Sequence, residues 1–363
     1  CTFSIQLAEF TELNLSFPPN IELGDFTIGC FQLAKQLRKS PNQIAQELAK
    51  AFSCQELIVE AKETGPYLNL KLSNQALFKV ACLDAISSGS DFGKAELAGD
   101  RVMVEYLSPN TNKPLHLGHM RKGCLGMAIS NILDATGCKV VKANLVNDRG
   151  VHICKSMLAW ERWGQGATPE STGIKGDHFV GKWYVKYSHE AEKDVHLDEE
   201  VLKMLKRWEI GDEEIMARWR MMNDWVYQGF AETYKRLGLV FDKIFYESET
   251  YKLGKDIIAN GIEKGVFCKD TQGNTVFNLP VSEFGLGKDG QAQKITVLRP
   301  DGTSLYVTQD IGTALMKVTM YNLDRSIYVV GSEQNHHFKS LFKMLESLGY
   351  DWAKGCCHLS YGM

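Results

Sequence analysis

The chain has 363 residues, 44% of them hydrophobic, ten cysteines and a formal net charge of −3. That suffices for sizeable cores in two or three domains; no apolar run nears the roughly 18 residues of a membrane span, and the first residues lack the basic-then-apolar order of a signal peptide. The small net charge gives no global attraction to nucleic acid, and ten scattered cysteines without a Cys-x-x-Cys pair suit reduced, mostly buried thiols rather than a disulfide framework or a zinc ribbon, so a cytoplasmic protein is expected.

Residues 1–90 read as a small α/β domain. Ile28, Phe31, Ala34 and Leu37 recur at helical spacing, and Ser40-Pro41 supplies an N-cap and an N1 proline for a second helix with the stripe Ile44, Leu48, Ala49 and Phe52. Residues 56–60 and 66–72 read as strands, the latter with Leu68, Leu70 and Leu72 on one face, and residues 74–87 as a helix. Lys35, Arg38, Lys39 and Lys50 form either a solvated face or a phosphate-backbone contact. The stretch 88–100, with Gly89, Gly93 and Gly99, holds the expected linker, set at 91–100.

From Arg101 the pattern becomes strand (102–107), loop (108–119), helix (120–135, closed by Thr136-Gly137) and strand (139–146), which is one right-handed βαβ unit. Asn147-Asp148-Arg149-Gly150 ends that strand, and a helix with Ile153, Met157 and Trp160 follows. After a Gly/Pro/Ser/Thr-rich loop at 164–176, a long helical region runs to Leu239; its stripe of Ile215, Trp219, Met222 and Val226 reads as core. Residues 267–279, broken at 271–274, read as one hairpin, and 294–299 with 303–308 across Pro300-Asp301-Gly302 as another. A mainly helical insertion over about 150–290 therefore splits the sheet. Gly285-x-Gly287-x-x-Gly290 matches a dinucleotide fingerprint in letters, but it enters a predicted strand where that fingerprint must open a helix, so it is set aside. The second half follows as strand 304–308, helix 311–321, strand 326–330, helix 334–348 and a strand near 356–359. The predicted fold class for 101–363 is α/β, a doubly wound parallel, Rossmann-like nucleotide-binding sheet, beside the small N-terminal α/β domain.

The loop from Ser108 to His119 lies between a strand end and a helix start, where unpaired N–H groups favour an anion. His116 and His119, three residues apart, can face one turn and, with Lys113, surround a polyphosphate; Gly118 lets a flat ring approach the backbone. Ordinary polar loop residues are the plainer alternative. Zinc is disfavoured because no third ligand follows at a usual spacing.

His116-Leu-Gly-His119 is a variant of the His-x-Gly-His signature of class I aminoacyl-tRNA synthetases and related nucleotidyltransferases. The longer string Val104-Glu-Tyr-Leu-Ser-Pro-Asn-Thr-Asn-Lys-Pro-Leu-His-Leu-Gly-His119, together with Val146-Asn-Asp-Arg-Gly150, Tyr306-Val-Thr-Gln-Asp310 and Gly331-Ser-Glu-Gln-Asn-His-His-Phe338, resembles the arginyl-tRNA synthetase family. Gly24-Asp-Phe26 through Phe52 resembles that family's N-terminal add-on domain, which contacts tRNA.

The resemblance implies ATP-dependent activation of L-arginine and transfer to tRNA(Arg), with Mg²⁺ on the phosphates and a monomeric enzyme. It gives Glu105 and Asp310 to the guanidinium with Tyr306 beside them. Asn110, the Ser108 carbonyl and Gln334 go to the α-amino end. Lys113, His116, Gly118, His119 and Gly331 go to ATP, with Lys113, His116 and His119 as the catalytic set. From the residues alone, the plainer alternatives are a helix N-cap or first-turn residue for Asp310 and an exposed strand face for Glu105.

The family's lysine-containing second signature and its helical anticodon-reading domain do not occur by Met363, so the chain is expected to be part of a longer protein. Lys113 stands where a lysine substitutes for that signature in some members. A small-molecule nucleotidyltransferase and a catalytically silent tRNA-binding relative are the alternative readings.

Overall fold

A computed structural model describes residues 14–53, 56–96, 99–287 and 289–362. The chain divides into two compact units, Cys1–Gly93 and Lys94–Met363.

The smaller unit is an antiparallel sheet in the order β1 (Leu15–Ser16), β2 (Phe26–Gly29), β4 (Tyr67–Leu72), β3 (Ile58–Thr64). Two helices, α1 (Phe31–Leu37) and α2 (Pro41–Ala51), join it around a core of Cys30, Leu33, Ile44, Ala45, Leu68 and Leu70. The Ser40 hydroxyl accepts the Gln43 N–H and the Gln43 side chain answers to the Ser40 N–H, a reciprocal cap that starts α2 at the proline. Ile28 departs from its expected helix and sits in β2, because the helical spacing of Ile28 and Phe31 runs across a strand end. Residues 74–88 stay helical, but α3 (Asn74–Phe78) and α4 (Asp84–Ser88) are joined by a wider π turn at Lys79–Leu83. Of Lys35, Arg38, Lys39 and Lys50, Lys39 is paired with Glu47 at 2.7 Å.

The larger unit is built on five parallel strands in the order β12-β11-β5-β6-β7: β5 (Arg101–Glu105), β6 (Lys139–Val146), β7 (Lys243–Tyr246), β11 (Arg325–Gly331) and β12 (Cys357–Tyr361). Val102, Met103 and Val104 are fully buried, as a central strand covered on both faces must be. Chain order reverses between β5 and β11, so a ligand cleft belongs at the carboxyl ends of these two strands, beside Glu105 and Gly331. Helix α5 (Leu117–Ala135) makes the first crossover. Its buried face, His119, Gly123, Gly126 and Ser130, is almost all small, so the helix sits close on the sheet.

Between β6 and β7 run α6 (Val151–Trp163), the short α7 (Pro169–Thr172), α8 (Gly176–Ala191), α9 (His196–Glu209) and α10 (Glu213–Leu237). Ile215, Met222 and Val226 are buried, so the stripe is core, and the Trp219 indole N–H reaches the Asp148 carbonyl at 2.6 Å. The interruption expected at 150–290 is not complete, since β7 returns to the sheet within it, paired with β6. Four residues between Asp242 and Glu247 are too few for alternation to register. After β7 come α11 (Glu247–Thr250), α12 (Lys255–Glu263), and an antiparallel sheet of β8 (Cys268–Lys269), β9 (Thr275–Asn278) and β10 (Lys294–Leu298), with α13 (Val281–Phe284) before β10.

A second departure from expectation lies at 303–308. Only a single bridge, Leu298 to Ser304, forms there, and α14 (Tyr306–Tyr321) starts at once. Val307, Ile311 and Ala314 are buried at spacings of four and three, so helical burial overrides the strand-like alternation. Helix α15 (Asn335–Ser347) then leads to β12.

The glycine-rich 285–290 stretch is a turn closed by the Gly287 N–H to the Gln291 carbonyl at 2.7 Å, with residue 288 outside the described residues. All eight described cysteines are free. Cys30, Cys138 and Cys154 are buried, but Cys124, Cys268 and Cys357 are exposed, so the thiols are not mostly buried as composition suggested. No helix among the described residues is long and apolar enough to cross a membrane.

Candidate active site

The strand-to-helix loop is built under strain. Leu107 and Ser108 both take left-handed backbone angles, φ 78° and 45°, each of which costs roughly 1–3 kcal/mol for a residue with a Cβ. Their surroundings fix them. The Ser108 N–H donates to Asn144 Oδ1 at 3.0 Å, and Asn144 in turn donates to the Tyr234 hydroxyl at 3.3 Å. The Asn147 N–H donates to the Pro109 carbonyl at 2.9 Å, the Thr111 N–H to the Asn147 carbonyl at 3.0 Å, and Asn147 Nδ2 to Asn110 Oδ1 at 2.8 Å. Asn110 is thereby oriented by the end of β6. Below the loop, Tyr106 donates its hydroxyl to the Val240 carbonyl at 2.7 Å, and a Cβ on Gly126 would lie 2.1 Å from its Cγ.

At the start of α5, His116 is the N-cap. Its Nδ1 accepts the Gly118 N–H at 3.1 Å, and His119 Nδ1 accepts the His116 N–H at 3.2 Å. With both Nδ1 atoms accepting, each neutral ring carries its proton on Nε2. Burial, then His116, Lys122 and Lys113, push the His119 imidazolium down to about 3, and burial with Lys113 and Lys122 lowers His116 too. The pair is thus two neutral N–H donors at a helix N-terminus, with Lys113 exposed beside them. Lys122, one turn beyond His119, was not anticipated. Burial pushes its ammonium down, Glu333 opposes that, and Lys113 adds to it.

A second group of residues meets at the cleft expected from the strand order. Glu105 and Asp310 both line a cavity of about 50 Å³, together with Lys317 and Tyr328. Glu105 is buried and accepts a short hydrogen bond from Lys317, while Asp310 pairs with His337 Nε2 at 2.8 Å. The exposed strand position is therefore excluded for Glu105. Tyr306 and Asp310 share the first turns of α14, but Tyr306 is 77% exposed. Ser108, Asn110, Tyr306 and Gln334 do not line the cavity, and Gln334 is exposed in the turn Ser332–Gln334. Gly331 closes β11, and a Cβ there would meet the Glu333 carboxylate at 2.5 Å.

The end of β6 holds charged residues that the motif gave no role, and they meet a third from α11. The Asp148 carboxylate is buried and accepts from the Ser248 N–H at 2.8 Å, the Ser248 hydroxyl at 2.7 Å and the Tyr227 hydroxyl at 2.9 Å. Arg149 lies 4.0 Å from the centre of the Tyr251 ring and pairs with Glu209 at 3.0 Å. Burial raises the Glu247 carboxyl to about 7, with Arg149 opposing and Asp148 and Asp310 adding. The only sequence signal for Asp148 and Arg149 is position, since Asn147 to Gly150 follow a parallel strand's carboxyl end.

Residues 83–363 match the family described as tRNA synthetases class I (R), catalytic domain, and residues 4–72 match the arginyl tRNA synthetase N terminal domain. The chain belongs to the arginyl-tRNA synthetase family. It is 46% identical over 360 residues to an arginine–tRNA ligase of Bacteroides thetaiotaomicron, covering 94% of this chain and 59% of that protein. A Treponema denticola arginine–tRNA ligase is 45% identical, covering 97% and 59%. Thermus thermophilus arginyl-tRNA synthetase superposes with a TM-score of 0.63 at 26% identity over 96% of this chain and 62% of that one. Plasmodium falciparum arginyl-tRNA synthetase, at 14% identity and a TM-score of 0.58, shares the fold. The chain thus spans 59% of the length of these two curated relatives. In this family member, the imidazole pair and the two-carboxylate cavity stand at the ends of adjacent elements, β5 and α5, joined by the strained loop.

Proposed function

We propose that the protein containing this chain activates L-arginine with ATP to arginyl-adenylate and transfers the arginyl group to tRNA(Arg) in the cytoplasm. The observation that carries this reading is the placement of Glu105 and Asp310 on one small cavity at the point where strand order reverses. A guanidinium is planar, permanently charged and forked, and two carboxylates are what it needs when buried. The neutral Nε2–H donors of His116 and His119, with Lys113, suit the phosphates beside it, and Gly118 leaves room for the adenine ring.

In this mechanism an oxygen of the arginine carboxylate attacks the α-phosphorus of ATP, the bond from that phosphorus to the β-bridging oxygen breaks, and pyrophosphate leaves. Asn110, the Ser108 carbonyl and Gln334 orient the α-amino end, and Tyr306 lies beside the guanidinium. The protein positions the reactants and stabilises charge as it develops on the phosphate oxygens, without covalent participation. Mg²⁺, which the family implies, would be carried by the phosphates of the nucleotide and would neutralise charge there.

The test is ATP–pyrophosphate exchange by the full-length protein with arginine, run with and without tRNA. Arginine-dependent exchange that Lys113→Ala strongly lowers supports the reading; exchange driven instead by lysine or glutamate overturns the substrate.

A further inference from the structure

Lys317 lies two turns after Asp310 on α14, on the side of that helix that lines the same cavity. Its side chain is 3% exposed, that of Glu105 is 8% exposed, and its ammonium donates to Glu105 Oε2. The ammonium also stands 5.2 Å from the centre of the Phe245 ring and 5.9 Å from that of Tyr328. A cation is therefore built into the floor of a pocket meant for a cation. We propose that Lys317 is a specificity residue, its ammonium filling the place at Glu105 that a substrate ammonium would take, so that the pocket accepts a guanidinium and rejects lysine. The inference rests on the arginine reading of this cavity and goes beyond it.

Two features of the geometry carry the argument. Counting carboxylates and ammonium alone, Glu105, Asp310 and Lys317 sum to one negative charge, which a single incoming cation closes to zero; without Lys317 one buried carboxylate would stay uncompensated. The shape of the remaining acceptors then decides which cation fits. With Oε2 of Glu105 taken by Lys317 and Oδ2 of Asp310 by His337 Nε2 at 2.8 Å, what is left is Oε1 of Glu105 and Oδ1 of Asp310, one oxygen on each of two residues, which suits the planar fork of a guanidinium better than a compact point charge. Both ligands carry one positive charge, but a guanidinium spreads it over a weakly hydrated plane, whereas a lysine ligand would set a second compact, strongly hydrated ammonium beside the resident one in a water-poor site, a contact that discriminates between close analogues.

The experiment uses the full-length protein and compares kcat/KM for arginine and for lysine in pyrophosphate exchange. Lys317→Met should lower the arginine-to-lysine ratio by at least about tenfold and leave the KM for ATP within about twofold. The double variant Glu105→Gln with Lys317→Met removes both buried charges, so it keeps the test alive where the single variant does not fold; its ratio should fall below that of Glu105→Gln alone. An unchanged ratio in the folded variants overturns the role of Lys317. Glu105→Gln and Asp310→Asn separate the two ideas. Unchanged KM for arginine in both overturns the arginine pocket itself, whereas a raised KM with a ratio insensitive to Lys317 overturns only the inference.

Discussion

His116 and His119 cap one another: the His119 ring accepts the His116 backbone N–H at 3.2 Å, and the His116 ring accepts the N–H two residues ahead at 3.1 Å. The caps use Nδ1, which leaves each Nε2–H for a ligand. Asparagine can mimic the Nδ1 acceptor but not the Nε2 donor. His119→Asn should therefore fold normally at neutral pH and lose about 10²–10³-fold in exchange rate, the usual result of removing one donor to developing charge.

The same residue predicts an acid effect. An unfolded histidine takes up its proton near 6.5, whereas buried His119 does so only near 3. The unfolded chain thus binds more protons between those values. His119 contributes nothing above about pH 6.5, and stability falls as the pH drops below it, by up to about 1.4 kcal/mol per pH unit. Urea unfolding at pH 7 and pH 5 should show a smaller acid loss in His119→Asn than in the parent; an equal loss would place the proton elsewhere.

Gly126 faces the root of the Tyr106 side chain rather than its mobile end, and a methyl added at Gly126 would stand 2.1 Å from Cγ and 2.5 Å from Cβ of that tyrosine. Neither atom can move without shifting β5 or α5. Gly126→Ala should cost at least about 1–3 kcal/mol by overpacking, in spite of alanine's better helix propensity. The midpoint of denaturant unfolding measures it, and a gain in stability would contradict the close approach.

How much of this could be read from the sequence follows from range. The β5-α5-β6 unit was legible because buried parallel strands are continuous apolar runs and α5 is long. The site loop was legible because its chemistry is local, with His116 and His119 three residues apart. β7 was not, since four residues carry too little pattern, and only the first turn of α14 was misread, because Thr303 to Thr308 alternates like a strand until Ile311 and Ala314 show which face is buried. The Glu105–Lys317 pair spans 212 positions, and no spacing rule reaches that far. Asp148 was visible only as a polar residue at a strand end; its partners come from α10 and α11, which the sequence did not bring to it.

Asp148 ties β6 to the helical insertion through three donors on its carboxylate, and its carbonyl takes two more from Trp219 and Asn223. An amide in its place must turn its N–H₂ either toward both hydroxyls, which now donate to Oδ2, or toward the Ser248 N–H, which now donates to Oδ1. Asp148→Asn should lower stability by about 1.5–3 kcal/mol, the range for a lost hydrogen bond to a charged group. Thermal or urea unfolding checks this, and an effect within error would mean that Ser248 and Tyr227 reorient freely.

Glu247 is expected to act in the opposite sense to an ordinary salt-bridged carboxylate. Burial raises its carboxyl from 4.5 to about 7, and Asp148 and Asp310 reinforce that while Arg149 opposes it. Between those two values the folded chain keeps a proton that the unfolded chain has released. Stability must therefore fall as the pH rises from about 4.5 toward 7, and the penalty stays constant above 7. Glu247→Gln cannot ionise and should escape it. Its Tm should exceed that of the parent at pH 8, with the difference vanishing near pH 4.5. A variant less stable at pH 8 than at pH 4.5, each relative to the parent, would show that Glu247 is ionised and paired in the fold, with Arg149 the partner that holds it.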